Sequence, residues 1–421
     1  MIQTISFQVS PEVASDMYKL KLFLANKVSI SIHDINDLRI TKRSIDARSS
    51  NIKINLEVLY AYKNTKILPE PELQFDKKNV SNSPSVHIIG SGPAGLFAAL
   101  KLIELQIKPI IFERGKDVSS RKRDLALLNK NEVFNPESNY CFGEGGAGTF
   151  SDGKLYTRSK KKGDNQRILE LFVMHGASPN ILVDSHPHIG SDKLPEVIKA
   201  MRATILECGG EIHFEKKVTD FKISNHTITH IVCNDEPIEI QQLILATGHS
   251  ARNIYYALHN AGVELEAKPF AMGVRAEHPQ ELIDTIQYHR NTLDVLPAAS
   301  YNLVQQVQDR GVYSFCMCPG GIIVPSATEH NQMVVNGMSS SLRNSPFANS
   351  GIAVELRLED FAEYNEFGVL AGLKFQENLE RLAYLNGGQN QIAPAQGIRD
   401  FINKKISNEL PECSYLPGIV S

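Results

Sequence analysis

Three glycines, Gly90, Gly92 and Gly95, have the types and spacing of a dinucleotide-binding turn, and Glu113 follows 18 residues after the last of them. In such turns the first glycine permits a tight bend, the second lets a pyrophosphate approach the backbone, and the third lets a helix pack on a strand. A carboxylate at the position of Glu113 hydrogen-bonds a ribose diol and repels a 2′-phosphate. The pattern predicts FAD or NAD, rather than NADP, at this site.

The residues around this motif have the patterns of the elements that must position it. Apolar residues at 86–89 and 109–112 predict two strands, and those from 96 to 105 predict a buried crossover helix between them. The N-terminus of that helix presents free N–H groups and the positive end of its dipole to phosphates. Glycine-rich turns can also be turns alone, but the strand–turn–helix context favours nucleotide binding.

A second glycine-rich stretch, residues 141–154, contains five glycines together with Cys141, two phenylalanines and Lys154. Glycines in this number allow positive φ angles and a close approach of the backbone to a ligand. Placed after the first strand–helix–strand unit, the stretch suits a loop around a ribityl chain and a flavin ring. The alternative is a mobile surface loop, which the embedded cysteine and phenylalanines disfavour.

Residues 184–193 place His186 and His188 among two carboxylates and a proline. Two imidazoles separated by one residue could bind a metal, but no third ligand is evident, and we predict no metal site. Imidazoles also titrate near neutral pH and could serve acid–base chemistry. We favour a polar loop close to the ligand, with Ser191 or Asp192 capping the helix that follows.

Cys316 and Cys318 form a Cys-x-Cys motif that could act as an electron relay or add a thiolate to a flavin. On a strand both thiols point to the same face, but two residues apart they are poorly placed for an unstrained disulfide. The alternative is that both cysteines are small buried residues of the core.

The composition disfavours several classes of function. At 421 residues the chain is expected to form two or three domains, and a net charge of −3 gives no basis for a nucleic-acid or membrane partner. The basic run at 158–162 is predicted to be a solvated loop. Scattered cysteines, no signal-peptide pattern and no apolar run of membrane-spanning length predict a reducing cytoplasm. We expect a small-molecule substrate, and the oligomeric state stays open.

Residues 1–80 are predicted to form a small α+β domain of the ferredoxin-like kind. The elements predicted from apolar alternation and polar breaks are strands at 5–9, 30–32 and 52–60, a helix at about 11–25 and a polar connection at 43–48. The stretch 69–84 is rich in Pro, Asn, Ser and Lys, and it is predicted to be a domain boundary.

The rest of the chain is predicted to be of the α/β class. We expect a Rossmann-like FAD-binding domain at 84–261, an inserted α+β substrate or cap domain at 262–350, and a mainly helical segment at 351–421 that leads back to the FAD domain. The further elements predicted are helices at 192–207 and 361–385 and strands at 211–214, 243–248, 321–324 and 332–335.

Together these motifs resemble a large bacterial family of uncharacterised FAD-dependent dehydrogenases, flavoproteins of the type with two dinucleotide-binding folds. The stretches that carry the resemblance run across nearly the whole chain and are residues 42–48, 90–95, 142–155, 186–190, 268–275 and 313–321. The stretch 142–155 is specific to this family, whereas the first glycine motif is shared by many flavin and NAD enzymes.

The resemblance implies bound FAD and an oxidoreductase activity, with NAD(P)H as an electron donor or acceptor and no defined substrate. The residues then predicted to bind the cofactor are Gly90, Gly92, Pro93, Ala94, Gly95, Glu113, Arg114, Gly145, Gly146, Gly148, Thr149, Val218, Thr247 and Gly248. The residues predicted to act near the flavin or the substrate are Lys154, His186, His188 and Arg275.

The family resembled has a late glycine-rich segment that contacts the pyrophosphate and the flavin, and this sequence has no equivalent before residue 421. We therefore expect the chain to be truncated relative to that family and to lack one wall of the flavin site. Two alternatives to an active oxidoreductase follow. One is a non-catalytic flavoprotein fragment, and the other is a flavin-dependent RNA-modifying enzyme, which a pI near 6.5 disfavours.

Overall fold

The computed structural model describes residues 1–69, 72–130, 133–157, 163–289 and 295–420, and its architecture is mixed α/β. The strands are β1 (Ile2–Val9), β2 (Ile35–Asp46), β3 (Lys53–Tyr62), β4 (Ser85–Ile89), β5 (Lys108–Phe112), β6 (Glu211–His213), β7 (Val218–Ser224), β8 (Thr227–Cys233), β9 (Glu236–Glu239), β10 (Leu243–Leu245), β11 (Phe270–Pro279), β12 (Val304–Val307), β13 (Arg310–Cys318), β14 (Gly321–Pro325), β15 (Val335–Ser339), β16 (Phe347–Leu356), β17 (Ala393–Ala395) and β18 (Pro417–Ile419).

The α-helices are α1 (Pro11–Ala14), α2 (Met17–Lys27), α3 (Pro93–Glu104), α4 (Val118–Asn129), α5 (Asn165–Met174), α6 (Leu194–Glu207), α7 (Arg252–Asn260), α8 (Gln280–Tyr288), α9 (Ala371–Gly387) and α10 (Ile398–Ile402). Short 3-10 helices lie at Ile32–Asp34, Gly146–Gly148, Pro179–Leu182 and Leu358–Leu370. The basic run at 158–162, predicted to be a solvated loop, lies outside the described residues.

The N-terminal unit is an antiparallel sheet in the order β1-β3-β2, covered by α2. Alternate residues of β3 are buried and pack with Leu20 and Leu24 of α2, as a strand with one face on the core requires. The predicted α+β unit is therefore present. Within the described residues this sheet has no fourth strand, so it is smaller than a ferredoxin-like sheet.

The helical stretch predicted at about 11–25 is confirmed with one interruption, and two other local predictions in this unit are wrong. The single helix is two helices, because the Asp16 side chain accepts hydrogen bonds from the N–H groups of Tyr18 and Lys19 and starts α2 anew. Residues 30–32 are not a strand, since Ser31 caps a 3-10 turn there. The polar connection predicted at 43–48 lies mostly within β2. Most side chains of β2 are half-buried or exposed, so this strand can have a polar sequence.

A parallel sheet in the order β10-β4-β5-β6 forms the second unit, and α3 is the crossover between β4 and β5. Ile88 of β4, Leu96 and Ile103 of α3, and Ile111 of β5 are fully buried against one another. The two strands and the helix predicted around the first glycine motif are thus confirmed. Helix α6 covers the same core through Met201, and it begins at Leu194 rather than at residue 192.

The third unit contains the sheet β11-β16-β13-β12 and the ribbon β14-β15. The strand predicted at 321–324 is confirmed as β14, but the one at 332–335 is wrong, because the Met333 N–H donates to the Glu380 carbonyl of α9 instead. The helix predicted at 361–385 is confirmed in α9. Its first part is a 3-10 helix that kinks at Gly368, where φ is +54°.

The predicted boundary at 69–84 has no helix or strand in its described residues, but it is anchored to the molecule. Val80 is fully buried, and its N–H donates to the Cys208 carbonyl at 2.8 Å. The boundary placed after residue 350 falls inside β16, and the four domain ranges stay a prediction. In the described ranges, no helix combines the length and the apolar character needed to span a bilayer.

Candidate functional site

The turn after β4 leads directly into α3, and its three glycines have different surroundings. Gly90 has a φ of +102°, and a Cβ there would lie 2.5 Å from the carbonyl oxygen of Ala246. A Cβ on Gly95 would lie 2.0 Å from the carbonyl oxygen of Gly90. The packing of the chain itself therefore requires these two glycines. A Cβ on Gly92, by contrast, would meet no atom nearer than 3.9 Å.

The first turn of α3 carries backbone donors without acceptors. The N–H groups of Gly92, Ala94 and Gly95 have no acceptor among the described residues, and Pro93 between them has no N–H. Free N–H groups at the positive end of a helix dipole attract anions. This donor set, beside a glycine with room for a ligand, fits the pyrophosphate of a dinucleotide.

Glu113 follows β5 at the same edge of the sheet, and its buried carboxylate is saturated with hydrogen bonds. One oxygen accepts from the Ser91 N–H at 2.9 Å and from the Ser91 hydroxyl at 2.8 Å. The other accepts from the N–H groups of Gly115 and Gly143 at 2.9 and 3.0 Å. A carboxylate has about four acceptor positions. Binding a ribose diol there requires that the diol replace some of these donors, and this role stays a prediction.

Arg121 of α4 is a buried residue that shapes the candidate site, and the sequence reasoning missed it. Its guanidinium is fully buried and donates to the carbonyls of Asn139, Tyr140 and Glu144 at 2.8, 3.0 and 2.8 Å. Burial lowers the pKa of Arg121 to about 10, although the charge of Glu113 opposes this. Arg121 fixes the path of the glycine-rich loop from inside. In the sequence, a single arginine in a helix of mixed polarity does not indicate that its side chain is buried and anchors a loop.

The glycine-rich loop lies against the start of α3. The Gly145 N–H donates to the Ser91 carbonyl at 2.9 Å, and a Cβ on Gly146 would lie 3.1 Å from the Cα of Gly92. A Cβ on Gly148 would lie 3.7 Å from Pro93. The loop therefore covers one side of the free donors. The Thr149 hydroxyl, predicted to touch the cofactor, donates to the Glu144 carbonyl at 2.8 Å and holds the loop turn.

Glu144 is a buried carboxyl in this loop. One of its oxygens accepts from the Val118 N–H at 2.8 Å and from Arg202 at 3.0 Å, whereas the other has no partner among the described residues. Burial raises the pKa of Glu144 to about 7, and the attraction of Arg202 does not cancel this effect. The group therefore titrates near neutral pH.

Of the remaining predicted cofactor residues, Arg114 and Val218 are engaged within the chain. Arg114 forms an ion pair with Glu137 at 2.7 Å and stacks over the Phe142 ring. Val218 is buried in a core cluster at the start of β7. Thr247 and Gly248 follow β10, and the Cα of Thr247 lies 3.3 Å from where a Cβ of Gly90 would be.

A second group of side chains surrounds the Cys-x-Cys motif. The Lys154 ammonium lies 3.5 Å from the sulfur of Cys318 and 4.0 Å from that of Cys316. It also forms an ion pair at 2.7 Å with Asp152. Arg275 donates to the Cys316 carbonyl at 3.4 Å and to the side-chain oxygens of Asn349 and Asn336 at 2.7 and 3.1 Å. The structure thus brings two predicted catalytic residues, Lys154 and Arg275, to one place.

The two histidines are separated. His188 is half-buried, its Nε2 contacts the Ser341 carbonyl at 3.2 Å, and its backbone bridges to Lys154. Burial lowers the pKa of His188, and the charge of Arg343 adds to this effect, so the imidazole is neutral at pH 7. His186 is exposed and packs against Tyr156, with the ring centroids 4.6 Å apart and the ring planes tilted by 56°.

The prediction that Ser191 or Asp192 caps α6 is wrong. The residue before the helix is Lys193, without a side-chain cap, because the Asp192 carboxylate instead accepts hydrogen bonds from the N–H and hydroxyl of Ser341. The described residues contain no group of three or more His, Cys, Asp and Glu side chains able to hold a metal ion.

Two open surface cavities, of about 560 and 480 Å³, lie elsewhere. The first is bordered by residues 330–332 and 364–381, the second by the N-terminal sheet. Among the described residues, none of the four predicted catalytic side chains lines either cavity. These two cavities therefore do not define a substrate site.

Comparison with known proteins decides the family. Residues 269–421 match a family model described as FAD-dependent protein, C-terminal domain-like, and residues 1–61 match a domain of unknown function, DUF8436. An uncharacterized protein of Clostridium beijerinckii is 40% identical over 424 residues, which cover 96% of this chain and 78% of that protein. The chain belongs to the family of this clostridial protein, an FAD-dependent family.

Solved structures of other proteins are similar only at a distance. FqzB is 13% identical, with 68% of this chain and 55% of that chain covered and a TM-score of 0.31. THI4 of Thermovibrio ammonificans is 17% identical, with 44% and 66% covered and a TM-score of 0.29. CtdE, solved in complex with FAD, is 14% identical, with 73% and 70% covered and a TM-score of 0.28. Likeness at this level carries no conclusion about this member of the FAD-dependent family.

Proposed function

We propose that this protein is an FAD-dependent oxidoreductase, a dehydrogenase that acts on a small organic substrate. The observation that carries the proposal is the set of three free N–H groups at the start of α3, beside Glu113, in a chain of an FAD-dependent family. When bound, FAD supplies the transfer of electrons or hydride. NAD(P)H as electron donor or acceptor and a cytoplasmic location belong to the same proposal.

In this proposal the backbone of the chain binds the cofactor. The N–H groups of Gly92, Ala94 and Gly95 donate to the pyrophosphate, where the helix dipole favours negative charge. Glu113 accepts from the ribose once the diol replaces donors of Ser91 or Gly143. The loop from Gly145 to Gly148 lies over the phosphates and limits the access of water to them.

The side chains of Lys154, His188 and Arg275 are proposed to act on the substrate. Lys154 and Arg275 supply positive charge that orients an anionic group. His188, whose pKa is lowered by burial, is neutral at pH 7 and can accept a proton on a ring nitrogen. His186 has no support from its position, since it is exposed beside Tyr156.

The test is the visible absorption spectrum of the purified chain, followed by identification of any flavin released by heat. We expect flavin absorption near one FAD per chain, which a chemical reductant bleaches and air restores. The sequence has no tryptophan, so quenching of FAD fluorescence on binding is measured without a tryptophan background. A colourless protein that also fails to quench added FAD would contradict the proposal.

A further inference from the structure

The cysteine pair does not have the regular strand geometry assumed from its sequence. The pairing of β13 with β16 shifts register between Phe315 and Cys318, and Cys316 has a φ of +48°, a left-handed conformation that is uncommon for residues other than glycine. The thiol of Cys318 donates to the carbonyl of Cys316 at 3.4 Å. At this bulge the two sulfurs share one neighbour, the Lys154 ammonium, which lies 4.0 Å from Cys316 and 3.5 Å from Cys318.

The charges around the pair favour a thiolate. Asp152 is shared between Lys154 at 2.7 Å and Arg343, which binds both carboxylate oxygens at 3.2 and 2.7 Å. One carboxylate therefore faces two cations, and Arg275 adds a third cation whose side-chain partners in the described residues are neutral amides. A negative charge on the sulfur beside Lys154 balances this excess in a partly desolvated place.

The two cysteines have different access to solvent. Cys318 is fully buried, whereas Cys316 is half-buried and the Lys154 side chain next to it is 33% exposed. Cys316 is therefore the more accessible of the two cysteines. The neighbouring Cys318 thiol and the charge of Lys154 hold the pKa of the Cys316 thiol below its usual range, while the pKa of Cys318 is raised.

We propose that Cys316 and Cys318 form a dithiol that reduces small-molecule disulfides by thiol–disulfide exchange. The Cys316 thiolate attacks one sulfur of the disulfide, a Cys316–sulfur bond forms, and the other half leaves as a thiolate. The Cys318 thiol then loses its proton to that leaving thiolate and attacks the Cys316 sulfur. The second half leaves as a thiolate and takes a proton from water. The substrate thus gains two electrons and becomes two thiols, and the cysteines lose two electrons and become a disulfide.

Lys154 is the positioning residue of this site. Its ammonium contacts both sulfurs, so it stabilises the thiolate on Cys316 before the first attack and the charge that develops on Cys318 during the second. This activity does not depend on bound FAD, although the dithiol site shares Lys154 and Arg275 with the proposed oxidoreductase function.

The test uses dipyridyl disulfide, whose released thiopyridone absorbs light, with the full chain in mildly acidic buffer, where ordinary thiols are protonated. We expect a fast phase that releases two thiopyridones per chain and leaves a Cys316–Cys318 disulfide, found by mass spectrometry of peptides. Cys316→Ser abolishes the fast phase. Cys318→Ser releases one thiopyridone and keeps a mixed disulfide on Cys316. Lys154→Met slows the fast phase about tenfold or more, as for a one-unit rise in thiol pKa.

Cys413→Ser is the matched control, because Cys413 is half-buried like Cys316 but has no cation beside it in the described residues, and burial raises its pKa. We expect its fast phase to equal that of the wild type. Cys318→Ala repeats the Cys318 test without a buried hydroxyl, and circular dichroism confirms folding of each variant. A fast phase that survives Cys316→Ser, or two thiopyridones released quickly by both Cys318 variants, would overturn the proposal.

Discussion

Replacing Gly92 with alanine tests the contribution of this glycine to FAD binding separately from its contribution to the stability of the fold. The backbone at Gly92 has φ and ψ of −67° and −179°, which alanine adopts freely, and its Cβ would meet nothing nearer than 3.9 Å. Gly→Ala stabilises by about 0.4–1 kcal/mol through the unfolded chain. Alanine is a poorer N-cap than glycine by a similar amount. We therefore expect the free energy of unfolding without ligand to change by less than about 1 kcal/mol.

The same methyl group is expected to weaken FAD binding, because it projects where the pyrophosphate must approach. Loss of one hydrogen bond to a charged acceptor removes about 1.5–3 kcal/mol. At about 1.4 kcal/mol per tenfold change in affinity, this raises the Kd roughly 10- to 150-fold. Each further N–H that loses its contact with the phosphates would weaken binding again.

Gly95→Ala is the contrasting variant, because its Cβ would lie 2.0 Å from the Gly90 carbonyl. It is expected to lower the free energy of unfolding by about 1–3 kcal/mol or more, with or without FAD. Urea unfolding of the ligand-free variants and fluorescence titration with FAD measure the two effects separately. If Gly92→Ala binds FAD as the wild type does while Gly95→Ala behaves as expected, the pyrophosphate does not lie at Gly92 and the site reasoning is refuted.

Three further variants test the site. Arg121→Met should lower the free energy of unfolding in urea by about 3–5 kcal/mol, since it leaves buried carbonyls without donors, and a loss below about 1 kcal/mol would contradict its anchoring role. The folded pKa of Glu144, about 7 against an ordinary 4.5, means that stability falls as pH rises between these values. Glu144→Gln should reduce the pH dependence of Tm between these values in thermal melts. An unchanged pH dependence would contradict the raised pKa of Glu144. Gly190→Ala, whose Cβ would lie 2.2 Å from the Ser341 nitrogen, should destabilise more than Gly176→Ala, where φ is also positive but no atom lies within 4 Å. Equal shifts in Tm would show that packing at Gly190 is unimportant.

The parts of the fold that the sequence predicted well are local. The strand, glycine turn and helix from 85 to 104 follow from apolar periodicity and from residues a few positions apart. The failures lie where one local signal competes with another. In the sequence, Asp16 looks like a residue inside one helix, whereas in the structure its side chain caps the start of α2. The polar sequence of β2 is typical of a turn, because both faces of this strand are largely accessible to solvent.

The sequence by itself indicated the glycine turn at the start of α3 and the carboxylate after β5, because Gly92 and Gly95 act within that turn, whereas the contact of Gly90 with Ala246 depends on the tertiary structure. Tertiary structure alone decided the use of Arg121, which bonds to carbonyls 18 to 23 residues away, and the place of Lys154 beside cysteines 162 and 164 residues further on. No periodicity or spacing encodes such contacts, since they arise only when separate parts of the chain pack together. The physical reason is that the energy of a charged group depends on its distance in space from other groups, and the order of residues along a chain does not specify these distances.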